Sequence, residues 1–119
     1  MLNLDTHILI HALCGDLTNK ENNILVKETW SISSIVIWEI AKLAQLNRIE
    51  LDLDDPEFLL ILSNIHIWPL SLEVCQVIKN LDFTGDPADE IIDATSIVHN
   101  VPLITRDRRI KNSKMIPMV

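Results

Sequence analysis

Asp5, Glu39, Asp89 and Asp107 are far apart in the chain, yet each sits at a place where a carboxylate can do chemistry. Asp5 follows the apolar run Met1 to Leu4, and Asp107 follows the apolar segment Val101 to Thr105. Glu39 and Asp89 fall near the start of stretches with helical spacing. Asp5, Glu39 and Asp89 are embedded in strongly apolar sequence, where an unpaired carboxylate is costly. Too few Lys or Arg lie in those segments to neutralise three or four acids. Magnesium or manganese, hard cations that prefer oxygen ligands, would do so. Without such an ion, mutual repulsion should raise some of the pKa values.

Each acid also has a structural explanation. Asp5 can cap a helix beginning near Thr6. Asp86 is a natural cap before Pro87, which makes Asp89 a third-position residue favoured by the helix dipole. Glu39 can pair with Lys42, and Asp107 with Arg106, Arg108 or Arg109. His7 and His11 have the spacing of a metal pair, but no third ligand is evident beside them. His66 and His99 read as structural, and Trp30, Trp38 and Trp68 as core packing. There is no Walker phosphate loop, dinucleotide-binding glycine pattern or serine elbow.

The elements that must bring the acids together alternate in type. Met1 to Leu4 reads as a strand, followed by the helical pattern Ile8, Leu9, Ala12, Leu13 and a turn at Gly15-Asp16. Thr18 and Glu21 have the spacing of a capping box. Trp30 to Ser33 alternates as a strand does, Ile35 to Leu46 is helical, and the polar break Asp52-Leu53-Asp54-Asp55-Pro56 supplies cap candidates and an N-terminal proline for a helix over Glu57 to Leu62. Ile65 to Leu70 is a strand, Ser71 caps a helix to about Leu81, and Asp86-Pro87 opens one to His99. Val101 to Thr105 is a further strand, and Met115 to Val119 a last short one whose Pro117 suits an edge. This succession predicts an α/β fold with a mainly parallel sheet of four or five strands and helices on both faces. Such sheets bind ligands beyond the C-terminal ends of their strands, where Asp5 and Asp107 fall.

The 119 residues suit one domain, spanning 1–119. Cys14 and Cys75 have no paired spacing and read as reduced core thiols. No stretch approaches the ~20 apolar residues of a membrane span, so a cytoplasmic place is expected. The net charge of −7 is unusual for a protein that contacts phosphates, but it is unevenly spread. Residues 1 to 105 hold five basic and sixteen acidic groups, while residues 106 to 119 hold five basic and one acidic. The basic tail reads equally as a phosphate-guiding rim or as a solvated end.

Four segments in order resemble the PIN-domain ribonucleases, and most closely the VapC toxins of bacterial toxin–antitoxin pairs. They are Leu4-Asp5-Thr6-His7, Ser34 through Trp38-Glu39-Ile40-Ala41-Lys42, Asp86-Pro87-Ala88-Asp89 with Ala94-Thr95, and Pro102 through Thr105-Arg106-Asp107. The resemblance implies a three-layer α/β/α sandwich and phosphodiester hydrolysis of RNA with one or two magnesium or manganese ions. It places Asp5, Glu39, Asp89 and Asp107 at the family's metal-binding acids, and Thr105 at the hydroxyl that accompanies the last of them. Asp5 and Asp89 are the expected direct ligands. Asp93, one helical turn after Asp89, is a further candidate where relatives carry a small or apolar residue, and Glu90 stands where an arginine is common. Arg106, Arg108 and Arg109, with Lys111 and Lys114, are placed to contact RNA. The resemblance also implies a homodimer and a small VapB-like antitoxin. Two other readings compete: a non-catalytic PIN-like module that binds RNA or protein, and a magnesium-dependent phosphatase, which the lack of an Asp-x-Asp pattern at the first strand disfavours.

Overall fold

The computed structural model describes residues 1–119. Four parallel strands, β1 (Leu2–Leu4), β2 (Trp30–Ser33), β3 (His66–Trp68) and β4 (Leu103–Ile104), form one sheet in the order β3-β2-β1-β4. The helices are α1 (Thr6–Cys14), α2 (Asn19–Leu25), α3 (Ser34–Gln45), α4 (Pro56–Ser63), α5 (Leu72–Ile78), α6 (Pro87–His99) and α7 (Arg108–Lys111). The architecture is the expected α/β/α sandwich around a parallel sheet. No helix is long and apolar enough to cross a membrane.

Central strands of a parallel sheet are covered on both faces, and every residue of β1 is buried. The chain steps from β1 to β2 to β3 in one direction, then returns across the sheet to β4 on the other side of β1. Because crossovers are right-handed, that return lies on the opposite face. The strand order therefore switches between β1 and β4, and a crevice opens where those two strands end.

Local chemistry sets the element boundaries. Thr18 and Glu21 close a reciprocal capping box on α2, while Asp55 and Ser71 accept backbone N–H groups at the starts of α4 and α5. Gly15 ends α1 at φ 76°, a left-handed conformation that a Cβ would strain. Leu4, Ile8, Ile32, Val36, Ile40 and Ile92 are all but inaccessible and join the sheet to α1, α3 and α6. One polar side chain is sealed among them. The Asn3 amide donates to the Ile92 carbonyl at 3.1 Å and to Ser96 Oγ at 2.8 Å, tying β1 to α6.

Several expectations from sequence need correction. Cys14 and Cys75 are exposed, not core thiols. Cys14 is the last residue of α1, which buries Thr6, Ile8 and Leu9, and Cys75 adjoins Val74, the one residue that α5 buries. Trp38 is 56% exposed because α3 buries Val36 and Ile40, and a residue midway between them faces away. Trp30 and Trp68 are partly buried: Trp30 donates to the Leu25 carbonyl, and Trp68 stacks on His99 at 3.9 Å. The helix expected to reach about Leu81 ends at Ile78, and the last strand is reduced to a single bridge between Leu103 and Met118.

Replacing Asn3 by Ala strands the Ser96 hydroxyl and the Ile92 carbonyl in a dry interface. Asn3→Ala is expected to lower unfolding stability by about 1–3 kcal/mol. Urea unfolding measures it, and an unchanged midpoint would contradict the role given to this side chain.

Candidate metal centre

Asp5 leaves the end of β1 and caps α1. One carboxylate oxygen accepts the Thr6 N–H at 2.7 Å, and the other accepts the Thr105 hydroxyl at 2.6 Å. Thr105 follows β4, so this second bond joins the two strand ends at the switch point. The same Thr105 oxygen accepts the Asp107 N–H at 3.1 Å. On the far side, the Thr6 hydroxyl donates to Glu39 of α3. Two threonines thus fix the carboxylates of Asp5 and Glu39 and the backbone of Asp107. The sequence argument anticipated Thr105 only, because Thr6 reads as ordinary helix-start composition.

Asp5, Glu39, Asp89 and Asp107 line one cavity of about 420 Å³ together with His7, His11, Asp86 and Arg106. None of the lining residues is hydrophobic. Asp86 is the residue that sequence reasoning put elsewhere. It is the N-cap of α6 by position, but its side chain makes no capping hydrogen bond and its carboxylate belongs to the cavity. The cap reading hid it, although its spacing of three from Asp89 was a usable signal. Asp93 does not line the cavity. It is wholly inaccessible within α6, and neither of its oxygens has a hydrogen-bond partner.

The electrostatics follow from burial and like charge. Burial raises the Asp89 pKa to about 6, helped by the charges of Asp5, Glu39, Asp86 and Asp107. Asp93 is pushed up to about 8, first by burial and then by Asp5 and Asp89. Glu39 is also raised by burial, against the lowering effect of its Thr6 hydrogen bond. Asp107 is the exception. Burial would raise it, but hydrogen bonds from the Arg109 side chain and backbone outweigh that and hold it below the ordinary value.

The protein supplies little compensation. Its three ion pairs join Met1 to Glu28, Arg106 to Glu21 and Arg109 to Asp107, so Asp5, Glu39, Asp89 and Asp93 have none. The Glu39–Lys42 pair allowed by sequence does not form, and Lys42 donates to Gln45 instead. Arg106 lines the cavity, but its guanidinium is bound to both Glu21 oxygens at 2.7 and 2.8 Å. Arg108 is exposed and in no ion pair.

Carboxylate oxygens without cationic partners are the donor set a hard divalent ion takes, and the two orphaned oxygens of Asp93 deepen the local deficit of positive charge. No three His, Cys, Asp or Glu side chains already form a closed ligand cluster. The cavity is many times the ~30 Å³ of one water, which suits an ion that keeps part of its hydration. The donors fit such an ion in charge and chemistry.

The PIN domain family model matches residues 3–114, and the chain belongs to this family. It is 34% identical over 88 residues to Ribonuclease VapC22 of Mycobacterium tuberculosis, a match that covers 71% of this chain and 67% of that protein. Among solved structures, VapBC2 from Rickettsia felis bound to a promoter DNA fragment is similar with a TM-score of 0.75 at 22% identity, covering 100% of this chain and 98% of that one. A toxin–antitoxin complex from Klebsiella pneumoniae is similar with a TM-score of 0.70 at 21% identity, covering 94% and 91%. These structural likenesses concern the fold.

The elevated Asp93 pKa has a consequence for stability. Its folded value, about 8, lies above the ordinary 3.8, so the folded chain keeps a proton that the unfolded chain releases. Below about pH 4 there is no penalty. As pH rises through the window from about 4 to about 8, the metal-free protein loses stability, and above it the loss is complete. Asp93→Asn should flatten this slope by up to one proton. Urea midpoints in chelator at about pH 5 and about pH 8 measure it, and an equal slope in both proteins would refute the assignment.

Proposed function

We propose that the chain is a divalent-metal-dependent endoribonuclease that hydrolyses RNA phosphodiester bonds, and that it is the toxin of a VapBC-type toxin–antitoxin pair acting in the cytoplasm. The observation that carries this reading is the shared cavity at the switch point, whose carboxylates outnumber the cations available to them. The family membership and the similarity to a protein named as a ribonuclease support it. So do structural neighbours described as VapBC and toxin–antitoxin complexes.

In this proposal Asp5 and Asp89 are direct ligands of magnesium or manganese, with Glu39 and Asp107 acting through water or as acid–base groups. When bound, the ion supplies the positive charge that phosphodiester hydrolysis requires, binding phosphate oxygens and acidifying water. Thr6 and Thr105 donate to the Glu39 and Asp5 carboxylates and so fix the orientation of two acids that line the cavity. Asp93 does not line the cavity and carries a proton in the metal-free protein, so it would add negative charge only once a bound ion displaced that proton. Arg108 is free to meet RNA phosphates, whereas Arg109 and Arg106 do so only by sharing or leaving their carboxylate partners. A small VapB-like antitoxin and a second copy of the chain are the proposed protein partners.

Cleavage of an RNA pool with and without manganese tests the proposal. Chelation should abolish cleavage, and Asp5→Asn and Asp89→Asn should each lower it by at least about a hundredfold while the far-ultraviolet spectrum is retained. Thr105→Val, which removes the hydroxyl that orients Asp5 and holds the Asp107 backbone, should cost about 10–100-fold. Metal-independent cleavage, or full activity in either Asn variant, would overturn the assignment, whereas a wild-type protein that cuts no RNA with manganese present would favour a non-catalytic module.

A further inference from the structure

The largest cavity, about 580 Å³, lies away from the acids, between α2 and Val119. It shares Lys20, Ile24 and Val119 with a neighbouring cavity of about 250 Å³ that reaches Thr105 and Lys111, so the two form one groove. Lys20, Asn23, Ile24 and Lys27 recur at intervals of three and four residues, which is one face of α2 and the turn that follows it. Beside the lysines the groove presents apolar surface from Ile24, Met118 and Val119, over the buried Leu2 and Leu103.

Charge in the groove is settled by who is already paired. Glu21 and Glu28 line it, but Glu21 is held by Arg106 at 2.7 Å and Glu28 by the Met1 amino group at 3.0 Å. Lys20, Lys27 and Lys111 take part in none of the molecule's ion pairs. In a chain of net charge −7, three unpaired lysines along one groove mark a place for an anion. The groove lies beside the acidic cavity, with no lining residue in common. Thr105 lies at the boundary, its hydroxyl on Asp5, and the Glu21–Arg106 pair spans it, with Glu21 facing the groove and Arg106 the cavity.

We propose that this groove binds the single-stranded flank of the RNA whose scissile phosphate occupies the acidic cavity, an inference that rests on the nuclease reading above. Lys111, Lys20 and Lys27 contact successive backbone phosphates, and the apolar surface receives base faces. The sequence alone placed RNA contacts only among residues 106–114. Lys20 and Lys27 belong to a segment 80 residues earlier that the fold lays beside it. Adjacency to the cavity across the Glu21–Arg106 pair favours RNA over an acidic peptide, which would need no neighbouring acids.

Fluorescence anisotropy in the Asp5→Asn background, which prevents cleavage, tests the groove with labelled RNAs of about 12 and about 3 nucleotides in manganese. The measured quantity is the affinity gained by the longer RNA. The Lys20→Gln, Lys27→Gln, Lys111→Gln triple should shrink that gain about tenfold and reduce the salt slope for the longer RNA by about 2, at ~0.7 per lost phosphate contact. A charge-matched triple at Lys42, Arg48 and Lys79, all exposed and outside the groove, should leave both unchanged. An undiminished gain in the groove triple, or an equal loss in the control, would overturn the proposal, the first of these leaving the groove to an acidic peptide. Wild-type cleavage is scored separately: failure to cut any RNA refutes the nuclease reading, whereas the groove is judged on the affinity ratio alone.

Discussion

Asp5, Glu39 and Asp89 lie in one another's electric field with no ion pair among them, and beneath them Asp93 has two orphaned oxygens. A folded domain can bury carboxylates in this way only if they take up protons or a cation. Protons are the answer of the bare protein, which is why burial and like charge raise Asp89 to about 6 and Asp93 to about 8. A divalent ion is the other answer. In the proposed metal-dependent nuclease the two compete, and an ability to hold metal would be the same property as the reluctance of these acids to stay ionised without it.

The rest of the molecule maintains that frustration. Parallel strands with right-handed crossovers create a crevice between the ends of β1 and β4, and Asp5 and Thr105 are the residues that follow those strands. Two threonine hydroxyls then hold Asp5 and Glu39 in place, so repulsion cannot simply swing them out to solvent. Asn3 secures the other end of the assembly by clamping β1 to α6, the helix that carries Asp86, Asp89 and Asp93. Arg106 and Arg109 are engaged by Glu21 and Asp107, so no arginine pairs with Asp5, Glu39 or Asp89 and the cavity keeps an excess of carboxylates.

Much of this was legible in the residues. Capping signals at Thr18, Asp55, Ser71 and Asp86-Pro87 marked four helix starts correctly, because capping is local chemistry. The convergence of Asp5, Glu39, Asp89 and Asp107 also followed, since apolar surroundings and strand-end positions leave acids few places to go. Apolar sequence surroundings misled where a helix has an outer face, hence the exposed Cys14, Cys75 and Trp38. The pairing of Arg106 with Glu21 across 85 residues, and the lysine groove beside it, depend on how α2 packs near β4. No periodicity in one segment reports such a contact.

Calorimetric titration of manganese into the protein near neutral pH, repeated in buffers of different ionisation enthalpy, tests the coupling between protons and metal most directly. The account predicts binding accompanied by release of up to about one proton, because Asp93 with a pKa of about 8 still carries one in the metal-free protein. It also predicts that this release disappears in Asp93→Asn. Absence of manganese binding, or binding with no proton released from the wild-type protein, would contradict it.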